Sequence, residues 1–214
     1  MIYLTKSGMA GFANLEELAH QFERSHVFRL PRLLHSDLIQ MISPRLESCT
    51  WMAHEDGKIA TEEKPVDATP ASILHLATNT PEFLDTIRLI TRCEQIKWFS
   101  GRVYRMSRDH FDSWHSDRGT PQDRLVGMSV NLSPHRYQGG VFRLRNKTTG
   151  ETLCELPNTG RGDAICFRIS SSLEHMVTPL VGSEHKIAFA GWFQSGDTDF
   201  YSMVRGAPLS GPND

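Results

Sequence analysis

The sequence predicts an α+β fold, with helices first and a β-sandwich or jelly roll after them. Two observations carry this expectation. Apolar residues recur at helical spacing as far as Cys93, and from Glu94 onward short strand-like runs alternate with turn signals. Size supplies a third. The 214 residues, 39% hydrophobic and 22% charged, suffice for one closed core and exclude disorder, collagen or coiled coil as the main state.

The helical part reads in three segments. Asn14 can cap a helix with Leu15, Leu18, Ala19 and Phe22 on one face. Ser36 can cap a second, with Leu38, Ile39, Ile42 and Leu46 apolar and Pro44 expected to kink or end it. Thr80-Pro81-Glu82 combines an N-cap, a proline at the first helical position and an acid at the positive dipole end. Phe83, Leu84, Ile87, Ile90 and Cys93 follow at helical spacing. The polar, proline-containing stretch His54 to Ser72 reads as a long surface loop, and long loops are often lids.

Strands are expected at Ile96–Tyr104, Leu125–Leu132, Val141–Leu144, Thr152–Leu156, Ala164–Phe167, His175–Leu180 and Ile187–Phe193. Turns fall at Ser133-Pro134, Gly139-Gly140, Thr149-Gly150, Gly160–Gly162 and Gly182. Short strands at spacings of 8–12 residues are the pattern of a sandwich or jelly roll. One domain is expected: helical support over 1–94, a β core over 95–195 and a tail over 196–214.

Several function classes drop out. The formal net charge of -2 gives no pull toward nucleic acid or an anionic membrane. No apolar run approaches the roughly 18 residues of a membrane span. The start of the chain, broken by Lys6 and Gly8, lacks a signal-peptide core. Cys49, Cys93, Cys154 and Cys166 show no C-x-x-C spacing, so reduced thiols and a cytoplasmic location are expected.

Chemistry concentrates in the histidines. H-x-D occurs at His54-Asp56, His110-Asp112 and His115-Asp117. In a strand, residues i and i+2 share a face, so the motif can offer an imidazole and a carboxylate to one ion. His54-Asp56 falls in the polar stretch, where a solvated pair is the simpler reading. The other two have opposite parity, so an unbulged strand can turn only one of them inward. His175, at the start of an apolar strand, would supply a third ligand, and two histidines with one carboxylate form the facial triad of non-haem Fe(II) oxygenases. Lys186 shares a strand face with Ala188, Ala190 and Trp192, which points an ammonium into a cavity where it needs an anion.

These residues resemble a family. Tyr104–Asp117 is similar to the tyrosine-to-H-x-D segment of the Fe(II)/2-oxoglutarate-dependent oxygenases, in their prolyl 4-hydroxylase-like branch. Gln138–Leu144 resembles that family's G-G-x-L strand, and Gly162–Phe167, His175-x-Val177-x-Pro179, Lys186 and Trp192-Phe193 resemble its C-terminal signature. The resemblance spans about 95–195. It lacks the family's Pro-Gly turn after the tyrosine, which Arg105–Asp109 replaces, and it runs slightly long from His175 to Lys186, with His185 as a competing neighbour.

The resemblance implies a double-stranded β-helix, the jelly-roll or cupin-like core, with Fe(II) held by His115, Asp117 and His175. It implies 2-oxoglutarate (2OG) on the iron, its distal carboxylate on Lys186, with Tyr104 and Trp192 lining that pocket, and O₂ as oxidant. The implied reaction hydroxylates a C–H bond of a small molecule, amino acid or peptidyl residue and releases succinate and CO₂. Apart from the resemblance, Arg118, with Arg124, Arg136, Arg143 and Arg145, could hold an anionic substrate, although solvated surface arginines are the simpler reading. Competing readings are nucleobase or tRNA dealkylation on the same barrel, which lacks a basic stripe here, and a metal-binding β-barrel module without turnover.

Overall fold

The computed structural model describes residues 1–56, 60–117 and 124–196. Arg118 lies outside them.

A hairpin opens the chain, β1 (Ile2–Thr5) with β2 (Gly8–Gly11), followed by α1 (Leu15–Ser25). Asn14 caps α1 as expected, its side chain accepting from the Glu17 amide at 3.2 Å. Next come β3 (Val27–Leu30) and α2 (Ser36–Glu47). One expectation about α2 needs correction and another is narrowed. His35, not Ser36, is the N-cap, and the helix runs through Pro44 to Glu47. Pro44 stands in the last turn, and its carbonyl still accepts from the Ser48 amide at 3.1 Å, so the helix continues past it.

The stretch expected as a loop is the largest correction. His54 to Ser72 holds the end of β4 (Trp51–Asp56), all of β5 (Ala60–Pro65) and the start of α3 (Thr69–Thr78). The residues 1–94 therefore contain five strands beside their helices. Polar side chains hid β5 because its partners are charged: Glu62 forks onto Arg102 at 2.8 and 2.9 Å, and Glu63 onto Arg105 at 2.8 and 2.8 Å. The last helix, α4 (Pro81–Thr91), starts at Thr80-Pro81 as expected.

The β core contains β6 (Trp98–Met106), β7 (Asp112–His115), β8 (Arg124–Asn131), β9 (Gln138–Gly139), β10 (Phe142–Asn146), β11 (Thr152–Leu156), β12 (Ala164–Arg168), β13 (Leu173–Val177), β14 (Leu180–Val181) and β15 (Lys186–Gln194). Its strands run in the order β11-β10-β13-β7-β5-β6-β15-β8-β12-β3, antiparallel throughout, with β4 on β5 and a separate β9–β14 ribbon. β5 thus bridges two sheets, β11-β10-β13-β7 and β6-β15-β8-β12-β3. This nearly closed antiparallel barrel is a double-stranded β-helix.

The helices pack on the larger sheet. Phe22, Phe83, Ile87 and Leu74 join Phe99, Phe189 and Phe193 in the main core. A second cluster (Val27, Phe142, Leu144, Ile165, Phe167 and Leu173) fills one end of the barrel between the sheets. Fully buried aromatic side chains each contribute on the order of 2–3 kcal/mol by burial. Phe142, Ile165 and Phe167 of this cluster also line the barrel interior.

Candidate metal and co-substrate site

The open interior is a cavity of about 440 Å³, within the rough 300–1,000 Å³ range of small-molecule sites. β7, the following residues and β13 bring His115, Asp117 and His175 together in it. His115 and His175 are opposite each other in the strand pairing, with ring centroids 4.2 Å apart. The Asp117 carboxylate lies between them, Oδ1 3.7 Å from Nε2 of His115 and Oδ2 3.4 Å from Nε2 of His175.

A fourth group joins them. The β7–β13 pairing shifts register, the four residues from Asp112 to His115 facing the three from Val177 to His175. This bulge turns both Asp112 and His115 inward, so the parity rule stated for an unbulged strand does not hold here. Asp112 Oδ1 is 3.1 Å from Nδ1 of His115, and Asp112, His115 and His175 place ligand atoms within 4.8 Å of one another. His110 stays out, its Nδ1 accepting from the Ser107 amide at 3.2 Å.

The two carboxylates therefore approach opposite nitrogens of one imidazole. Nδ1 of His115 lies 2.7 Å from the Ser113 carbonyl, which can only accept, so Nδ1 carries a hydrogen and Nε2 offers its lone pair once its proton is displaced. That lone pair faces Asp117 and His175. Asp112 sits on the hydrogen-bearing side, where a carboxylate orients a ligand histidine. Two imidazole nitrogens and one carboxylate, open toward a cavity, fit a divalent first-row metal such as Fe(II). Burial pushes His175 down to about 4, which keeps it neutral. Burial would also lower His115, but Asp112, the Ser113 carbonyl and Asp117 outweigh it and hold this imidazole up to about 9. A metal there must displace a proton.

Lys186 begins β15, 3% exposed, and lines the cavity with Tyr104, Met106 and Val177. Among the described residues its one hydrogen bond is long, from Nζ to the Gly140 carbonyl at 3.4 Å. Burial pushes the ammonium down to about 8. His185 does not compete with it, being exposed and turned to Ser107, 3.2 Å away. Tyr104 is buried beside Lys186, and burial together with Glu62 raises its hydroxyl well above the ordinary range.

Trp192 lines the cavity, with a contact the sequence did not suggest: Nε1 donates to Asp117 Oδ2 at 2.6 Å. Arg124 lies flat on that indole, Cζ 3.4 Å from the ring centroid, and its Nη1 is 3.3 Å from Asp117 Oδ1. Of the other arginines named from sequence, Arg143 pairs with Glu155, Arg145 with Glu174, and Arg136 is exposed. Arg102 and Glu62 line the cavity and were missed. Arg102 stands two residues before Tyr104, on the same face of β6, and that parity was the available signal.

Against family models, residues 101–194 match the 2OG-Fe(II) oxygenase superfamily. This chain carries a 2OG-Fe(II) oxygenase domain. The family uses Fe(II), 2-oxoglutarate and O₂. Among solved structures, the oxygenase is similar to a Pseudomonas putida prolyl-4-hydroxylase, at 17% identity and a TM-score of 0.62, covering 86% of this chain and 100% of that one. It is similar to a Trichoplax adhaerens prolyl hydroxylase, solved with a hypoxia-inducible-factor peptide fragment, at 13% and 0.57, covering 92% of each chain. It also resembles an α-ketoglutarate-dependent epimerase of nogalamycin biosynthesis, at 13% and 0.61, covering 93% of this chain and 91% of that one. At these identities the likenesses show the fold. No match was found among curated protein sequences. No helix among the described residues is long and apolar enough to cross a membrane.

Proposed function

We propose that this oxygenase hydroxylates a C–H bond of a small molecule, amino acid or peptidyl residue, with release of succinate and CO₂. His115, Asp117 and His175 would hold Fe(II), and Lys186 would pair with the distal carboxylate of 2-oxoglutarate, beside Tyr104. When bound, the iron and its keto acid supply the activation of O₂. The chain's own part is to bind, orient and keep water out.

The observation that carries this reading is the Lys186 ammonium, buried in the same cavity as the three ligands with no acidic partner within ion-pair distance among the described residues. An isolated buried charge is costly, and a dicarboxylate would relieve that cost. Trp192, donating to Asp117, fixes the carboxylate's orientation, while the Ser113 carbonyl and Asp112 fix the ring of His115. Phe167 packs on His175 with centroids 4.5 Å apart and Phe142 at 6.0 Å, an apolar wall that keeps water from that side.

The test is succinate formation from 2-oxoglutarate with Fe(II) and O₂ as candidate substrates are added. The reading expects metal-dependent succinate that a substrate stimulates and His175→Ala abolishes. Succinate at the background level with every metabolite and peptide class would leave a binding module without turnover.

A further inference from the structure

Lys186 is not the sole cation that lines this cavity: Arg102, on β6, lines it too. Its Nε and Nη2 are committed to Glu62, at 2.8 and 2.9 Å, and Glu62 itself is 5% exposed. Its third nitrogen, Nη1, has no hydrogen-bond or ion-pair partner among the described residues. Yet 39% of the Arg102 side chain remains accessible, and the residue lines the cavity. Its guanidinium carbon lies 5.6 Å from the Tyr104 ring and 6.0 Å from the Trp192 ring. It is therefore braced by Glu62, flanked by two aromatic rings and left with one free edge.

The strand register places this edge away from Lys186. On β15, Lys186 faces Met106 of β6 and Ala190 faces Arg102, four residues along both strands, or roughly 13 Å at strand rise. Trp192, which touches Asp117, is two residues further on. A five-carbon diacid seated on Lys186 and reaching the three ligands would leave Arg102 unused. We infer that the cavity binds a second anion, and that Arg102 recognises a free carboxylate on the substrate to be oxidised. This deepens the proposed function and rests on it. Arginine suits the task, since its planar fork can hold Glu62 with one edge and a substrate carboxylate with the remaining nitrogen. Two sources could present that group: a small carboxylic acid, or a peptide with a free C-terminus.

The inference is tested by binding rather than turnover. The full chain, loaded with Mn(II) and 2-oxoglutarate, is titrated calorimetrically with common L-amino acids and simple aliphatic and aromatic acids, each beside its carboxamide. Short peptides with free and with amidated C-termini form the second arm. At least one acid is expected to bind while its amide does not, and the arm in which it appears names the source. Arg102→Gln should weaken that acid by about 10- to 100-fold, the worth of a charge-assisted hydrogen bond, with 2-oxoglutarate changed less than about threefold. Arg102→Lys should recover part of the loss.

Arg102→Gln strands Glu62, so the Glu62→Gln/Arg102→Gln pair removes both charges together and must show the same selectivity. Amides binding as well as acids, no acid binding at all, or 2-oxoglutarate weakened as much as the acid would each overturn the inference. Failure of the wild-type chain to bind 2-oxoglutarate would instead overturn the proposed function, and this inference with it.

Discussion

Lys186 works against the fold that holds it. A lysine brought from 10.5 down to about 8 by burial costs the native state on the order of 3 kcal/mol at neutral pH. The sign follows from proton counts. Between pH 8 and 10.5 the unfolded chain holds a proton that folded Lys186 has lost, so this group makes stability rise with pH across that window. Lys186→Met should therefore stabilise the apo chain by about 2 kcal/mol in denaturant unfolding at pH 7, while weakening 2-oxoglutarate binding. Equal or lower stability would mean the ammonium already has a partner. Binding should also track protonation. Above about pH 8 the affinity for 2-oxoglutarate should fall, approaching tenfold per pH unit, with proton uptake seen by calorimetry in buffers of different ionisation enthalpy.

At the scale of elements, the β4–β5 hairpin is the part most easily loosened. β5 meets β6 at one register pair, Glu63 with Arg105, and β7 at one, Ala60 with Asp112. The fastening is ionic. Glu63 takes both nitrogens of Arg105 and the Ser107 hydroxyl at 2.7 Å, and Arg105 stacks on Trp51 at 4.8 Å. The Arg105 fork holds the Glu63 carboxyl down at about 2, against 4.5 ordinarily. This stabilisation is complete above pH 4.5 and is lost as the pH falls toward 2. Amide exchange in β5 should accelerate over that window before the β6–β15 pairing opens, and Glu63→Gln should bring the acceleration to neutral pH, at a cost of about 1–3 kcal/mol in local opening. Exchange in β5 as slow as in β15 would show the hairpin to be held by other means.

The same hairpin shows where sequence reading stops. Helix and strand positions driven by apolar periodicity, such as Phe83–Ile90 or Ile187–Phe193, were legible because burial alone dictates them. β5 is built from Thr-Glu-Glu-Lys, and its strand state depends on arginines some forty residues away that local pattern does not reveal. That His115, Asp117, His175 and Lys186 share one cavity was expected from spacing and resemblance. Asp112 was not, because only the register shift in β7 turns it toward His115, and a bulge leaves no mark in the alternation of side chains.

For the whole molecule, two sheets joined by β5 present one cavity whose ends differ in charge chemistry: three metal-type donors, a buried ammonium, and a braced guanidinium. In the proposed function His115, Asp117 and His175 would form a single iron centre beside Lys186, with Asp112 only orienting His115. Absorption spectroscopy under argon tests it most directly, with Fe(II) and 2-oxoglutarate added to the wild-type chain and to single variants. The account predicts a visible charge-transfer band in the wild type that Asp117→Ala and His175→Ala abolish, that Asp112→Asn retains with weaker iron affinity, and that Lys186→Ala restores only at higher 2-oxoglutarate. No band in the wild type, or one that survives Asp117→Ala and vanishes in Asp112→Asn, would contradict it.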